Sequence, residues 1–214
     1  MKQNLEYRAE ARALLKKHWA QPVLTTLLYS FYIGLIIIPI DMPTKLLSLL
    51  VSALYVMVCW PLMYNYGRIF LRFVRKDDNL NNMMLATVDI LFEEFKEYKK
   101  AVLVPVMRYG MILIGIMLLI VPGLVWMYDF RMAFFVANDY PTLSPIECLA
   151  KSQAIMKGNR KQLFKLDLSF IGWGLLCIIT LGIGFYWLAP YRITATARFY
   201  EDAKAEYEAK NGSI

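Results

Sequence analysis

The chain has 214 residues, 58% of them hydrophobic, a formal net charge of +7 and a mean hydropathy of +0.43. Soluble domains are roughly 45–50% apolar with their charges dispersed, whereas here the charges form blocks between apolar runs, several long enough for a hydrocarbon core of about 30 Å. That excludes an ordinary soluble domain, and basic residues that only flank apolar runs exclude a nucleic-acid-binding arm or recognition helix.

Residues 1–21 lack the apolar core and small-residue cleavage site of a cleaved signal, so the first span is expected to insert uncleaved. Tyr7, Ala11, Leu14 and Leu15 share one side of a helix there, and Arg8, Arg12 and Lys16 another, a pattern suited to the membrane surface. A first hairpin follows over residues 22–66. Pro22 is acceptable in a helix's first turn. The apolar run breaks at Ile38-Pro39-Ile40-Asp41-Met42-Pro43, and Pro61 predicts a kink in the second leg.

Residues 83–100 form a second interfacial helix, with Met84, Val88, Leu91, Phe92, Phe95 and Tyr98 at helical spacing and Glu93, Glu94 and Glu97 on the remaining surface. That acidic surface is either simply solvated or a docking face for a partner. The second hairpin is expected over residues 101–138, broken at Val121-Pro122-Gly123. Its return leg, residues 124–137, reaches only about 20–24 Å at 1.5 Å per residue. A kinked continuation of the preceding span is the competing reading.

Ser144-Pro145-Ile146-Glu147 carries a capping box with proline at the first helical position, and Gly158 suits a terminator, so residues 144–158 are a third interfacial helix. The third hairpin covers residues 163–200, with its turn at Leu181-Gly182-Ile183-Gly184, and a charged helical tail occupies residues 201–214. Twenty Lys and Arg residues fall in the segments on one side of this layout and one, Lys45, on the other. Such a bias places both termini in the cytoplasm, and it favours the second hairpin over the kinked continuation, which would strand Lys151 to Lys165 outside. The expected fold is all-α: one polytopic membrane domain over residues 1–214, about six spans arranged as three hairpins with interfacial amphipathic helices.

Five ionisable residues fall within the expected spans: Arg108, Asp129, Arg131, Asp167 and Arg192. A charge at a helix centre costs roughly 2.5–3.5 kcal/mol on insertion scales, so such groups pair or face water or protein. Counting along straight legs puts Asp129, Arg131 and Arg192 near mid-membrane and Arg108 and Asp167 nearer the inner surface. The expected pairs are Asp129 with Arg192, and Asp167 with Arg108 or Arg131. They form either an ion-pair network that fixes helix register or a polar cavity for an anionic head group, an amphipathic ligand or a partner helix.

No catalytic, cofactor or metal site is expected. His18 is the only histidine, which removes a His-cluster metal site and a Ser-His-Asp triad. Ser152 and Ser169 have no base nearby in sequence, and Cys59, Cys148 and Cys177 are expected to be inert thiols.

Asn138-Asp139-Tyr140-Pro141-Thr142-Leu143-Ser144-Pro145-Ile146-Glu147, then Met156-Lys157-Gly158-Asn159, Leu166-Asp167-Leu168-Ser169-Phe170-Ile171-Gly172-Trp173, Thr180-Leu181-Gly182-Ile183-Gly184 and Trp187-Leu188-Ala189-Pro190-Tyr191 form a specific combination. Together with Leu91-Phe92-Glu93-Glu94-Phe95-Lys96 they resemble the bacterial membrane family catalogued as domain of unknown function 975, over about residues 85–200. The resemblance implies a multi-pass bacterial inner-membrane protein and supplies no mechanism. The expected function is therefore non-enzymatic: binding of membrane lipids or of a membrane or cytosolic protein partner, in envelope homeostasis or tolerance of membrane-active peptides. The alternative is a small transporter or channel subunit for an amphipathic or anionic substrate.

Overall fold

Every regular element that the computed structural model describes, over residues 2–16, 18–37, 44–75 and 98–212, is an α-helix. In chain order these are α1 (Asn4–Lys16), α2 (Ala20–Ile37), α3 (Lys45–Arg75), α4 (Tyr98–Leu118), α5 (Ile120–Asp129), α6 (Ala133–Asp139), α7 (Pro145–Met156), α8 (Arg160–Leu168), α9 (Ile171–Ile179) and α10 (Phe185–Asn211). The first apolar break, the acidic surface of Glu93, Glu94 and Glu97, and the side chains of Cys59 and Pro61 lie outside the described residues. Among the described residues two stretches are long and apolar enough to cross a membrane: Tyr98–Leu118 and Arg160–Ile179, the second counted through the turn between α8 and α9.

The core gathers on α10. Residues 1–21, expected along the membrane surface, place Tyr7, Ala11 and Leu15 wholly out of solvent against this helix. Tyr7 meets Phe199 edge to face at 5.5 Å, a geometry the ring quadrupoles favour. Arg8 donates to the Tyr191 hydroxyl at 3.4 Å, which in turn donates to the Arg8 carbonyl at 3.2 Å. The helix thus packs into the bundle through its apolar stripe of Tyr7, Ala11 and Leu15. The same holds for α7, whose Cys148, Leu149, Ile155 and Met156 are buried beneath neighbouring helices.

Between α4 and α5 the chain reverses at Leu119, an extended residue with φ −163° and ψ 140°. Pro122 and Gly123, expected at the turn itself, instead sit in the first turn of α5, where a missing N–H costs no helical bond. Gly123 faces the backbone of Ile116, and a Cβ on Gly115 would meet Gly123 Cα at 3.0 Å. Two glycines in register let the two helices close at backbone contact.

The return leg, expected as one span over residues 124–137, breaks at Phe130–Met132. Ala133 N–H turns to the Phe130 carbonyl at 3.3 Å, and the Asp129 carbonyl takes the Ser152 hydroxyl of α7 at 2.7 Å instead. The fifth expected span is likewise interrupted at Ser169–Phe170. There the Ser169 hydroxyl bonds the Leu166 carbonyl at 2.7 Å and the Phe170 N–H bonds the Asp167 carbonyl at 3.0 Å, tightening the helix into a turn. Leu181 (φ 53°) and Gly182 (φ 88°) form the turn before α10, which runs unbroken through the last expected span into the tail.

Candidate functional site

Three arginines from distant parts of the chain meet at one cavity. Arg108 lies on α4 one turn after Pro105, Arg131 in the turn between α5 and α6, and Arg192 on α10 two residues after Pro190. Pro190 cannot donate to the preceding turn. The following turns bond through side chains, Thr194 to the Pro190 carbonyl at 2.7 Å and Thr196 to the Arg192 carbonyl at 2.9 Å. The cavity encloses about 420 Å³, within the range of small-molecule sites. Aromatic and aliphatic side chains such as Phe134, Phe135, Phe185 and Leu188 supply most of its wall, and among the described residues no carboxylate lines it.

Arg108 is the least compensated of the three. It is 8% exposed, its guanidinium lies over the rings of Phe134 (4.8 Å) and Tyr109 (5.3 Å), and no acceptor among the described residues reaches its Nε. A buried cation held only by ring faces is under-compensated, because cation–π contacts supply at most about 2 kcal/mol. Arg131 and Arg192 share one carboxylate, Asp167 of α8, at 3.4 and 2.8 Å. Asp167 thus serves two of the three cavity guanidinium groups and not Arg108.

The structure joins Asp167 to Arg131, as one expected alternative has it, and separates Asp129 from Arg192. Asp129 is wholly buried and receives both Nε and a terminal nitrogen of Arg160, the latter at 2.9 Å, with Gln153 adding a donor at 3.4 Å. Its partner Arg160 precedes the third expected hairpin, so the pairing with Arg192 expected from depth does not form. Asp167 correspondingly lies level with Arg192, where helix counting sets the two at different depths. Asp129 and Arg160 pair away from the cavity, while Arg108, Arg131 and Arg192 line it together and Asp167 holds the last two from beside it.

Sequence reasoning misses the strongest polar node. Asp139, 4% exposed at its side chain, receives a bidentate pair from Arg75 (both 2.7 Å), Lys204 at 2.7 Å and the Tyr200 hydroxyl at 3.0 Å, tying α3, α6 and α10 together. Burial works hardest against its ionisation. The hydrogen bonds from Arg75 and Lys204 together outweigh burial and hold its carboxyl below the usual range. Next to it, burial and then the hydrogen bond to Glu208 push the Tyr140 phenol up to about 12. Among the described residues no group of three His, Cys, Asp or Glu is placed to hold a metal ion.

Residues 83–206 match the family model described as protein of unknown function (DUF975). The chain belongs to that family. The DUF975 match takes in all three cavity arginines, Asp167 and Asp139, while Thr26, Tyr29 and Tyr66, on the opposite wall, precede it. No curated protein and no solved structure matches the chain.

Proposed function

We propose that this DUF975 chain is a non-enzymatic bacterial inner-membrane protein, of about six spans in three hairpins with both termini cytoplasmic, which binds the anionic head of an amphipathic molecule among its helices. Membrane lipids are the first ligand class. The charge asymmetry supports the orientation, and outward apolar side chains such as Met117, Val121, Ile179 and Leu181 support a lipid-facing surface. The observation that carries the binding reading is Arg108: a buried guanidinium whose Nε meets no acceptor among the described residues, lining an apolar cavity that two further arginines also line. Desolvating such a charge costs several kcal/mol unless an anion compensates it, and an anionic ligand head would compensate it.

Thermal unfolding of delipidated protein in a neutral detergent tests this. Arg108→Met is expected to unfold at or above the wild-type temperature, because it removes an uncompensated charge. Phosphatidylglycerol at about 100 times its Kd is expected to stabilise wild type by about 2.7 kcal/mol and to leave Arg108→Met unshifted. A variant destabilised without lipid, yet still stabilised by it, would refute the reading. A transporter is the second reading, favoured by the breaks at Phe130–Met132 and Ser169–Phe170, since helices broken beside a binding site are a device of transporters.

A further inference from the structure

Arg131 and Arg192 line two cavities at once. Beside the one that Arg108 shares lies a second of about 990 Å³, walled mainly by α8, α9 and the start of α10, and the two are also joined along Phe185 and Leu188. Asp167 lines the second cavity and not the first. Its contacts to the arginines run through one carboxylate oxygen: Oδ1 accepts Arg192 Nε at 3.2 Å, a terminal nitrogen of Arg192 at 2.8 Å and a terminal nitrogen of Arg131 at 3.4 Å, while the Tyr128 hydroxyl also bonds the carboxylate from the second cavity's wall. A matched fork would use both oxygens in parallel. Each guanidinium has five donors, so Arg131 and Arg192 keep several for another anion.

We infer that Asp167 is an internal competitor, occupying Arg131 and Arg192 in the ligand-free protein and displaced from them when the phosphoryl head of an amphiphile binds across Arg108, Arg131 and Arg192. The inference rests on the binding reading above and names its ligand chemistry. A phosphoryl group offers three oxygens to three guanidiniums, where the Asp167 carboxylate engages two through one oxygen. The apolar wall of the first cavity accepts the chain. The displaced carboxylate has the second cavity to turn into, so release needs no movement of α8. Binding strength is thereby set by the difference between two anions competing for the same cations, and Asp167 weakens every anionic ligand.

Full-length protein titrated with dodecyl phosphate, and separately with inorganic phosphate, tests this. Asp167→Asn is expected to tighten dodecyl phosphate at least about tenfold, the equivalent of about 1.4 kcal/mol, and Arg108→Met to weaken it. An unchanged affinity in Asp167→Asn alongside a loss in Arg108→Met would overturn the competitor and leave the anionic-head site standing. No binding to wild type or to Asp167→Asn would remove both. Inorganic phosphate binding as tightly as dodecyl phosphate would overturn the amphiphile assignment in favour of a free anion. Should Asp167→Asn not fold, a crystal structure of wild type with dodecyl phosphate decides. Phosphoryl oxygens on Arg131 and Arg192 with Asp167 turned away support the inference; a carboxylate still 2.8 Å from Arg192 beside the bound head overturns it.

Discussion

Asp139 shows how a single side chain can tie three helices. Its ionised form is stabilised in the folded state, so its folded pKa lies below the unfolded value of about 3.9. The resulting stability is fully present above about pH 4 and is lost as pH falls through the folded pKa. Asp139→Asn is expected to cost about 3 kcal/mol at neutral pH, because it leaves Arg75 and Lys204 facing a neutral amide in a largely buried place. Thermal unfolding against pH checks it: the gap between wild type and variant should close as pH drops below about 4, and a gap constant with pH would assign the loss to packing. The residue types involved give the node away only in three dimensions. Asp139 follows an apolar run and reads as ordinary loop polarity, while its cations lie 64 and 65 positions away. The cavity arginines, by contrast, are legible as charges inside apolar runs, a placement that always costs free energy and so needs an explanation.

For helices, local signals read well and long-range ones badly. The capping box forms as its sequence predicts, with Ser144 N–H donating to the Glu147 carboxylate at 2.7 Å and the Ser144 hydroxyl accepting Glu147 N–H at 3.4 Å. Gly158 ends that segment at φ 96°. The breaks at Phe130–Met132 and Ser169–Phe170 carry neither glycine nor proline, and the first depends on Ser152 from another helix to satisfy the Asp129 carbonyl. No window along the chain contains that partner. The hairpin of α4 and α5 is the element most exposed to a single change. A Cβ at Gly123 would lie 2.4 Å from Ile116 Cγ1 and 2.7 Å from Ile116 N, so the helices must part. Gly123→Ala is expected to destabilise by about 1–3 kcal/mol. Gly172→Ala, whose Cβ meets nothing within 4 Å, should be neutral or slightly stabilising. Circular-dichroism melts of the two variants compare them directly, and equal losses would place the clash elsewhere.

At the scale of the whole molecule, the all-α expectation reads correctly: among the described residues every regular element is helical, and two stretches are apolar enough for a membrane. Hydropathy and charge asymmetry also suggest straight spans; of the expected pairs Asp167–Arg131 forms, while Arg192 joins Asp167 and Asp129 takes Arg160 instead. Two of the expected legs are instead broken, and Arg131 at one break and Asp167 just before the other lie beside Arg192. Under the proposed reading an anionic head group shares this arginine cavity, which makes the central claim one about occupancy. Native mass spectrometry of protein extracted gently from its own membrane measures that occupancy. Wild type is expected to retain an anionic amphiphile as a discrete added mass that Arg108→Met and Arg192→Ala each lose. A wild-type protein that flies as bare chain, or an added mass that survives both substitutions, would contradict the account.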